Sequence, residues 1–374
     1  MTIKNAKVFH EKGIFEMGDI AISGEFFTDS ACDDEELDAT DCYAIPGLID
    51  LHVHGCVGYD FSGADTDETG LKNMARYLAS QGVTAICPTL LTLPEDKLAL
   101  ACKRIANCKN PDGASFAGIY LEGPFLSPNK CGAQNPEYIR LPDRDMIRHL
   151  QAEADGLIKI LAIAPEREGA MELIKEMCGE IVCSLAHTEA NYALAKKAFE
   201  QGASQVTHLY NAMPPLHHRN PGVIGAAIDA ENCRVELICD NVHAHPATVR
   251  ATFNMFGDER IILISDSIVA TGLTDGSYEL GGLAIEVRGN VSTLGGGGSI
   301  AGSVTNLMDC VRVAVTEMKI PLASAVKCAT VNPAKAIGVY GQRGSIEAGE
   351  LADLVLLNED LSIRSVFLRG KRIV

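Results

Sequence analysis

Long apolar runs are absent from this 374-residue sequence. No stretch reaches the roughly 18 consecutive apolar residues that a membrane-spanning helix needs, so we expect no membrane partner. The first twenty residues, MTIKNAKVFHEKGIFEMGDI, contain no apolar segment typical of a signal peptide. These two absences predict a cytoplasmic protein.

Paired cysteines are also missing. The thirteen cysteines are scattered, their number is odd, and no CxxC pair occurs among them. In a cytoplasmic chain this pattern predicts reduced thiols in the core rather than disulfides. Cys56 is the cysteine that lies close to a candidate site, two residues after His54.

Positive charge is scarce as well. Lysine and arginine total 32 against 49 aspartates and glutamates, which gives a net charge of −17 and argues against a nucleic-acid partner. An anionic small molecule stays possible, because local fields can oppose the net charge.

The glycine run at 295–298 is not followed by Lys-Ser/Thr, so it predicts a turn rather than a nucleotide-binding loop.

Eight short apolar runs alternate with helical patterns along most of the chain. The runs are GLIDLHVH (47–54), TAICPTLL (84–91), FAGIYLEGP (116–124), IKILAIAPE (158–166), IVCSLAHT (181–188), SQVTHLYNA (204–212), RVELICDN (234–241) and RIILISDS (260–267). Eight such strands predict an α/β fold in which parallel strands close into a (β/α)8 TIM-type barrel. We expect this barrel at 46–335, with a hairpin inserted at 278–298 and closing helices near 302–318 and 321–330.

The two ends of the chain have a different pattern. Short alternating stretches such as GDIAISGEFF and SIRSVFLRGKRIV predict strands with one buried face. We expect them to form a small β-sandwich domain built from both termini, residues 1–45 and 336–374.

The stretch GLIDLHVHGCVG places two histidines at the end of the first predicted strand. His52 and His54 are two residues apart, and such residues point to the same face of a strand. In a TIM-type barrel the carboxyl ends of the strands carry the chemistry, so both imidazoles are expected at the barrel mouth.

Four other strand ends carry metal-ligand side chains. Glu122 ends the third strand, His187 the fifth, His208 the sixth and Asp266 the eighth. Histidines buried for packing alone are the alternative for each position taken singly, but the whole set at one end of the barrel favours a metal centre. Imidazole and carboxylate ligands suit zinc, and also iron or manganese.

A divalent metal in such a mouth predicts hydrolysis. It lowers the pKa of water to about 7 and polarises a carbonyl oxygen. Asp266, beside the metal, can take a proton from water and deliver it to a leaving amine. The sequence therefore predicts hydrolysis of an amide or a related bond.

This constellation resembles the amidohydrolase superfamily, whose barrels carry HxH on strand one, histidines on strands five and six, and aspartate on strand eight. Narrower stretches are similar to the N-acetylglucosamine-6-phosphate deacetylase family within it. They are PGLIDLHVHG, LEGPFLSPNKCGAQNP, LAHTEA, THLYNAMPPLHHRNPG and GSIEAGELADLVLLN, spread over positions 46–358. The resemblance implies removal of an acetyl group from a 6-phosphorylated amino sugar by a homodimer.

The resemblance also implies a role for each site residue. Glu122, His187 and His208 would bind the main metal, and His52 and His54 a second one bridged by Glu122, so that one or two divalent metals are bound per chain. Asp266 would be the general acid and base. Residues implied to contact the phosphosugar are Asn211, Ala212, Arg219, His243, Ala133 and Gln134, with Arg219 able to act in the neighbouring subunit.

The chain departs from the family at one ligand position. After LEGPF the family often reads KGAH or KGTH, whereas this chain has Cys131-Gly132-Ala133-Gln134. Glutamine can form hydrogen bonds but cannot become cationic. The exact substrate therefore stays open, with a related amidohydrolase acting on another N-acyl sugar or a cyclic amide as the alternative. Independently of this position, an inactive metal-binding or regulatory protein is the alternative from a different class.

Overall fold

The computed structural model describes residues 1–30, 35–63, 66–109, 112–295 and 297–374. It confirms the predicted barrel. The eight barrel strands are Leu48–Val53, Val83–Leu90, Ile119–Leu121, Ile158–Ile163, Val182–Leu185, Gln205–Val206, Arg234–Ile238 and Ile261–Ile264. Each is hydrogen-bonded in parallel to the next in chain order.

The barrel closes between its last and first strands. The backbone N–H of Asp266 donates to the carbonyl of His52 at 2.9 Å, and that of His54 donates to Ser267 at 2.8 Å. These bonds lie just beyond the eighth strand. His52, His54 and Asp266, which are expected at the barrel mouth, therefore also form the hydrogen bonds that close the barrel.

Helices cover the outside of the barrel. They are Glu68–Ser80, Glu95–Asn107, Arg144–Glu153, Ala170–Met177, Tyr192–Glu200, Gly222–Asp229, Pro246–Phe256, Leu307–Thr316, Leu322–Ala329 and Val331–Ala336, with 3₁₀ turns at Pro128–Lys130 and Pro136–Tyr138. Because helices pack on the outer face and side chains fill the interior, the strands are buried on both faces, which explains their continuous apolar runs. Gly82 and Gly202 follow two helices with φ of +79° and +117°, as expected for helix-ending glycines.

Both termini contribute to one further sheet. Its strands are Thr2–His10, Ile14–Ser23, Phe26–Thr28, Glu36–Asp38, Tyr43–Pro46, Leu354–Leu357, Ile363–Leu368 and Lys371–Arg372. The link between the two ends of the chain is the antiparallel pairing of Leu354–Leu357 with Tyr43–Pro46. The latter strand leads directly into the first barrel strand, and the domain boundaries at 45/46 and 335/336 stay a prediction.

The segment after the eighth barrel strand forms three antiparallel strands, Gly276–Leu280, Leu283–Arg288 and Val291–Leu294, where the sequence predicts a hairpin. The predicted glycine turn falls partly on residue 296, which lies outside the described residues. Short strands also occur at Gly55–Cys56, Tyr59–Asp60 and Ser115–Phe116.

Two sequence expectations concern membranes and cysteines. Across the described ranges, no helix is both long and apolar enough to cross a lipid bilayer.

The twelve described cysteines are free, and ten are buried. Cys56 is one of the buried ones and its thiol faces the carbonyl of Met74, so it packs in the core rather than in the candidate site.

Candidate metal centre

Three predicted ligands from separate strand ends meet around one carboxylate oxygen. Oε1 of Glu122 lies 3.1 Å from Nε2 of His187 and 3.0 Å from Nε2 of His208. The two imidazole nitrogens are 3.2 Å apart, and all three side chains are buried. Among the described residues, this set is the first of two groups able to hold a metal ion.

The second group shares the same carboxylate. Nε2 of His52 and Nε2 of His54 are 3.3 Å apart, and Oε2 of Glu122 lies 3.1 Å from the latter. Oδ1 of Asp266 is 3.2 Å from His54 Nε2 and 3.5 Å from His52 Nε2. Oε1 of Glu122 also lies 3.5 Å from Nε2 of His52, so this carboxylate contacts histidines of both groups and could serve as a ligand to either.

The donor set fits a divalent metal. Four imidazoles aim Nε2 at the same small volume, and neutral nitrogens turned there as acceptors cannot satisfy one another by hydrogen bonds. A cation placed between these nitrogens and the carboxylates would satisfy them together. Histidine nitrogen and carboxylate oxygen are ligands that suit zinc, iron and manganese.

The outer nitrogens of the imidazoles explain why Nε2 points inward. Nδ1 of His187 donates to the Lys130 carbonyl at 2.8 Å, and Nδ1 of His54 to the Thr89 carbonyl at 3.3 Å. Nδ1 of His52 contacts Oε2 of Glu236 at 3.1 Å. These three partners were not predicted from the sequence. Only Glu236 left a signal there, as a single acidic residue in the apolar run RVELI.

Buried opposite charges shift the pKa values of the metal-free centre. Burial favours the neutral forms of His52 and His54, but Asp266 and Glu122 outweigh it, raising the pKa of His52 well above its usual value and that of His54 to about 9. Burial raises the pKa values of Glu122 and Asp266, yet the neighbouring histidines pull both below their ordinary values. The centre is therefore organised to hold carboxylates in their charged form.

The backbone at three of these strand ends is left-handed. The φ angles of His187, His208 and Asp266 are +43°, +29° and +52°. Non-glycine residues rarely adopt this region, and such strain persists where the surrounding structure enforces it. Two of the predicted metal ligands and the predicted acid/base thus have this strained backbone.

Five of the six residues of the centre, all except His52, line a cavity of about 360 Å³. Most of the predicted ligand-binding residues line this cavity: Asn211, Ala212, Ala133, Gln134 and His243. Lys130 also lines it and was not identified from the sequence; it is the one lysine or arginine among the described lining residues.

His243 is held by a buried acidic partner. Its Nδ1 donates to Oδ2 of Asp240 at 2.7 Å. Burial alone would lower the pKa of His243, but this hydrogen bond to Asp240 raises it overall. With Nδ1 held by Asp240, the imidazole lines the cavity that contains Asp266.

Gln134 uses both ends of its amide within the protein. Its Nε2 donates to Oε2 of Glu122 at 2.5 Å, and its Oε1 accepts from the backbone N–H of Thr92 at 2.7 Å. The side chain is buried. At this position the chain therefore places a neutral donor on the carboxylate of the centre.

Arg219 lies apart from the centre. Its side chain is exposed, contacts His218 at 2.7 Å, and lines a different cavity with Glu189, Tyr192 and Pro214. Within one chain, the structure does not bring Arg219 to the cavity that contains Asp266.

Comparisons with known proteins give one consistent result. A model of the amidohydrolase family matches residues 43–373. A curated N-acetylglucosamine-6-phosphate deacetylase from Bacillus subtilis (strain 168) is 38% identical over 336 residues, which cover 88% of this chain and 84% of that protein. An N-acetylgalactosamine-6-phosphate deacetylase from Escherichia coli O157:H7 is 35% identical over 329 residues, covering 87% and 86%.

Solved structures agree. The crystal structure of N-acetyl-D-glucosamine-6-phosphate deacetylase from Mycobacterium smegmatis matches with a TM-score of 0.92 at 32% identity, covering 100% of both chains. An aspartate-to-alanine mutant of that protein, in complex with N-acetyl-D-glucosamine-6-phosphate, matches with a TM-score of 0.90 over 100% of this chain and 99% of that one.

Proposed function

Because the chain belongs to the amidohydrolase family, we propose that it removes the acetyl group from N-acetyl-D-glucosamine 6-phosphate. The products are glucosamine 6-phosphate and acetate. Relatives bearing this activity in their names match most of the chain, and one related structure holds this phosphosugar. The reaction is a metal-dependent amide hydrolysis.

One observation carries the chemistry. Asp266 contacts His52 and His54, opposite a carboxylate that faces both groups of ligands, and lines an open cavity. An amide carbonyl placed there would lie beside both the metal ligands and a proton carrier. An inactive metal-binding protein could use the same carboxylate as a ligand, so acetate release distinguishes the two functions.

The bound metal supplies a Lewis acid that polarises the acetyl carbonyl and lowers the pKa of water. Asp266 takes the proton from the attacking water and transfers it to the sugar nitrogen as the C–N bond breaks. Glu122, His187 and His208 would hold the main metal. His243, positioned by Asp240, binds the sugar and keeps it oriented toward the centre.

The phosphate is bound at the rim of the cavity. Asn211 and Ala212 line the cavity and follow His208 closely along the chain, so they can approach the sugar and its phosphate. Arg219 is proposed to reach the phosphate in the neighbouring subunit, since it lies outside the cavity of its own chain. This places a homodimer in the proposal.

Zinc is our proposed metal, with iron or manganese able to occupy the same ligands. Two metals per chain are proposed, because both histidines of the HxH pair are present and Glu122 faces both groups. We also propose a cytoplasmic location, consistent with free thiols at all twelve described cysteines.

Acetate release tests the proposal directly. Protein purified without added metal would be assayed on N-acetylglucosamine 6-phosphate, with and without a chelator, and its metal content measured. We expect activity that the chelator abolishes and that zinc, iron or manganese restores. Release that continues after complete metal removal would refute a metal-dependent mechanism.

N-acetylgalactosamine 6-phosphate is the second candidate substrate. The 35% identical Escherichia coli relative carries that name, and Gln134 stands where the family often has a histidine. Comparing kcat/KM on the two phosphosugars and their unphosphorylated forms decides between them. A preference for the galacto sugar would change the assignment and leave the chemistry unchanged.

A further inference from the structure

Glu236 is a fully buried carboxylate beneath the candidate metal centre. It lies in the seventh barrel strand, Arg234–Ile238, between apolar neighbours, and has 0% exposure. A buried charge is costly unless it is paired and hydrogen-bonded. The proposed mechanism does not use this group.

The contacts of Glu236 are directed at the centre. Its Oε2 lies 3.1 Å from Nδ1 of His52 and accepts the backbone N–H of His208 at 3.2 Å. Its Oε1 accepts Nε2 of Gln205 at 2.6 Å. A charged carboxylate only accepts hydrogen bonds, so the His52 proton sits on Nδ1 and Nε2 is left free for a metal.

His52 differs from the other three imidazoles in this respect. His54 and His187 donate Nδ1 to backbone carbonyls. Within the described ranges, Nδ1 of His208 has no hydrogen-bond partner. The carboxylate of Glu236 therefore contacts one of the two histidines of the second metal position, His52.

We propose that Glu236 is a positioning residue that strengthens the second metal position, at His52, His54 and Asp266, more than the first. Its carboxylate sets the tautomer of His52 and makes that imidazole a more basic ligand. Its charge also offsets the repulsion between two cations that share Glu122. This inference rests on the proposed function, from which it takes the second metal.

Glu236→Gln tests the proposal with little change in shape. The amide oxygen can still accept from His52, and Gln205 can turn its amide because its Oε1 has no partner in the described part of the chain. Metal-free protein would be titrated with zinc against a competing chelator. We expect the second metal to bind about 10–100-fold more weakly, as for other partners of metal-bound histidines, and the first metal to change by much less.

Asp50→Asn is the matched control. Asp50 is also a fully buried barrel carboxylate, but it accepts from the Ser265 hydroxyl at 2.5 Å and the backbone N–H of His52 at 3.2 Å rather than from an imidazole. We expect its second metal to bind close to wild-type strength. Equal weakening in both variants, or no weakening in Glu236→Gln, would overturn the proposal.

One measurement needs no variant, so it tests the proposal even if the variants do not fold. Nitrogen-15 NMR of histidine-labelled, zinc-loaded protein should show the His52 proton on Nδ1, and a proton on Nε2 would contradict the proposed role. Wild-type protein that binds a single zinc would also overturn it. Acetate release, measured separately, shows whether the proposed function stands in either case.

Discussion

At the residue scale, the candidate centre depends on what each nitrogen and oxygen faces. Four imidazoles bring Nε2 together, and the carboxylate of Glu122 contacts histidines of both pairs. Asp266 contacts the His52–His54 pair while reaching the cavity, with its side chain 11% exposed. It therefore combines contact with the centre and access to the substrate, which a proton carrier needs.

Asp266→Asn should bind substrate and lose most of its turnover. The amide keeps the size of the side chain but cannot carry a proton between water and the leaving amine. General acid–base groups contribute roughly 10²–10⁴ in rate, so kcat is expected to fall by that factor. Steady-state kinetics measure the loss, and elemental analysis of the same sample checks that the metal at Glu122 is retained. More than a tenth of wild-type kcat would argue against the assignment.

At the element scale, each barrel strand delivers its side chain at its carboxyl end, and the strand pairing sets the relative height of the ligands. The first strand places both HxH imidazoles on the inner face. The eighth strand closes on the first through Asp266 N–H and the carbonyl of His52. The second ligand group is thus assembled by the closure of the barrel.

The double variant His52→Ala, His54→Ala tests the first strand as the source of a second metal site. Wild-type protein is expected to bind two metals per chain, and the variant one, held by Glu122, His187 and His208. Elemental analysis after dialysis against metal-free buffer provides the count. An unchanged metal content would exclude the pair as ligands.

Substituting Gly302 tests whether the close packing of residue 302 against Asp266 positions that aspartate. Gly302 has φ +52°, and a Cβ added there would clash with Ile268 Cγ2 and lie 3.0 Å from the Asp266 carbonyl oxygen. Gly302→Ala should therefore displace the Asp266 segment, lowering kcat and reducing the free energy of unfolding by ~1–3 kcal/mol. Thermal melting and kinetics measure both effects.

Gly289→Ala is the control for Gly302→Ala. Gly289 has a similar φ of +60°, and a Cβ added there would meet nothing within 4 Å. It should show the backbone cost alone, ~1–2 kcal/mol, with activity retained. If both variants keep full activity, the packing of Gly302 does not position Asp266.

At the scale of the whole molecule, the overall charge bears on how a phosphorylated sugar is bound. The chain carries a net charge of −17, so an anionic substrate needs local cations. Lys130 lines the cavity, whereas Arg219 lies on a separate surface. The proposed homodimer would bring Arg219 to the cavity of the neighbouring subunit.

Arg219→Ala should weaken use of the phosphorylated substrate alone. Hydrogen bonds to charged groups are worth ~1.5–3 kcal/mol, so kcat/KM should fall about 10- to 150-fold, mainly through KM. The unphosphorylated sugar should be affected little. Equal losses on both substrates would mean that Arg219 acts through structure.

Mixing variant subunits tests whether Arg219 acts on the site of its own chain or on that of its partner. If Arg219 acts across the interface, refolded mixtures of Arg219→Ala and Asp266→Asn chains contain dimers with one intact site. Random pairing then restores about a quarter of wild-type activity. No recovery in verified mixed dimers would place Arg219 with its own chain.

The pKa shifts predict a pH dependence for the metal-free protein. The pKa of His54 is raised from 6.5 to about 9, and that of His52 also lies well above 6.5. A raised folded-state pKa contributes stability below 6.5 that is lost as pH rises through 9. Glu122 and Asp266 have lowered pKa values, and their contribution stays constant over this range.

Thermal melting from pH 6.5 to 9 checks this prediction. The metal-free protein should become less stable as the pH rises, relative to the metal-loaded protein, in which the ligating histidines are neutral. Parallel profiles for the two forms would show that the histidine–carboxylate contacts do not control the difference.

Much of the architecture is determined by the sequence alone. Apolar strands that alternate with amphipathic helices require a sheet covered on its outer face, and eight of them close into a barrel. Strand direction then assigns His52, His54, Glu122, His187, His208 and Asp266 to one end, because carboxyl ends of parallel strands share an edge. Residue type and spacing were enough for these predictions because strand and helix formation depends mainly on residues close together in the chain.

Which groups orient the ligands, and which cavity each residue lines, depends on packing between residues far apart in the chain. Glu236 meets His52 across 184 residues, and Gln134 turns its amide to Glu122 rather than keeping it free for a ligand. Arg219 follows the sixth strand as expected, yet it faces another surface. Such contacts depend on the path of loops and on packing between distant strands, and neither leaves a periodic signal in the sequence.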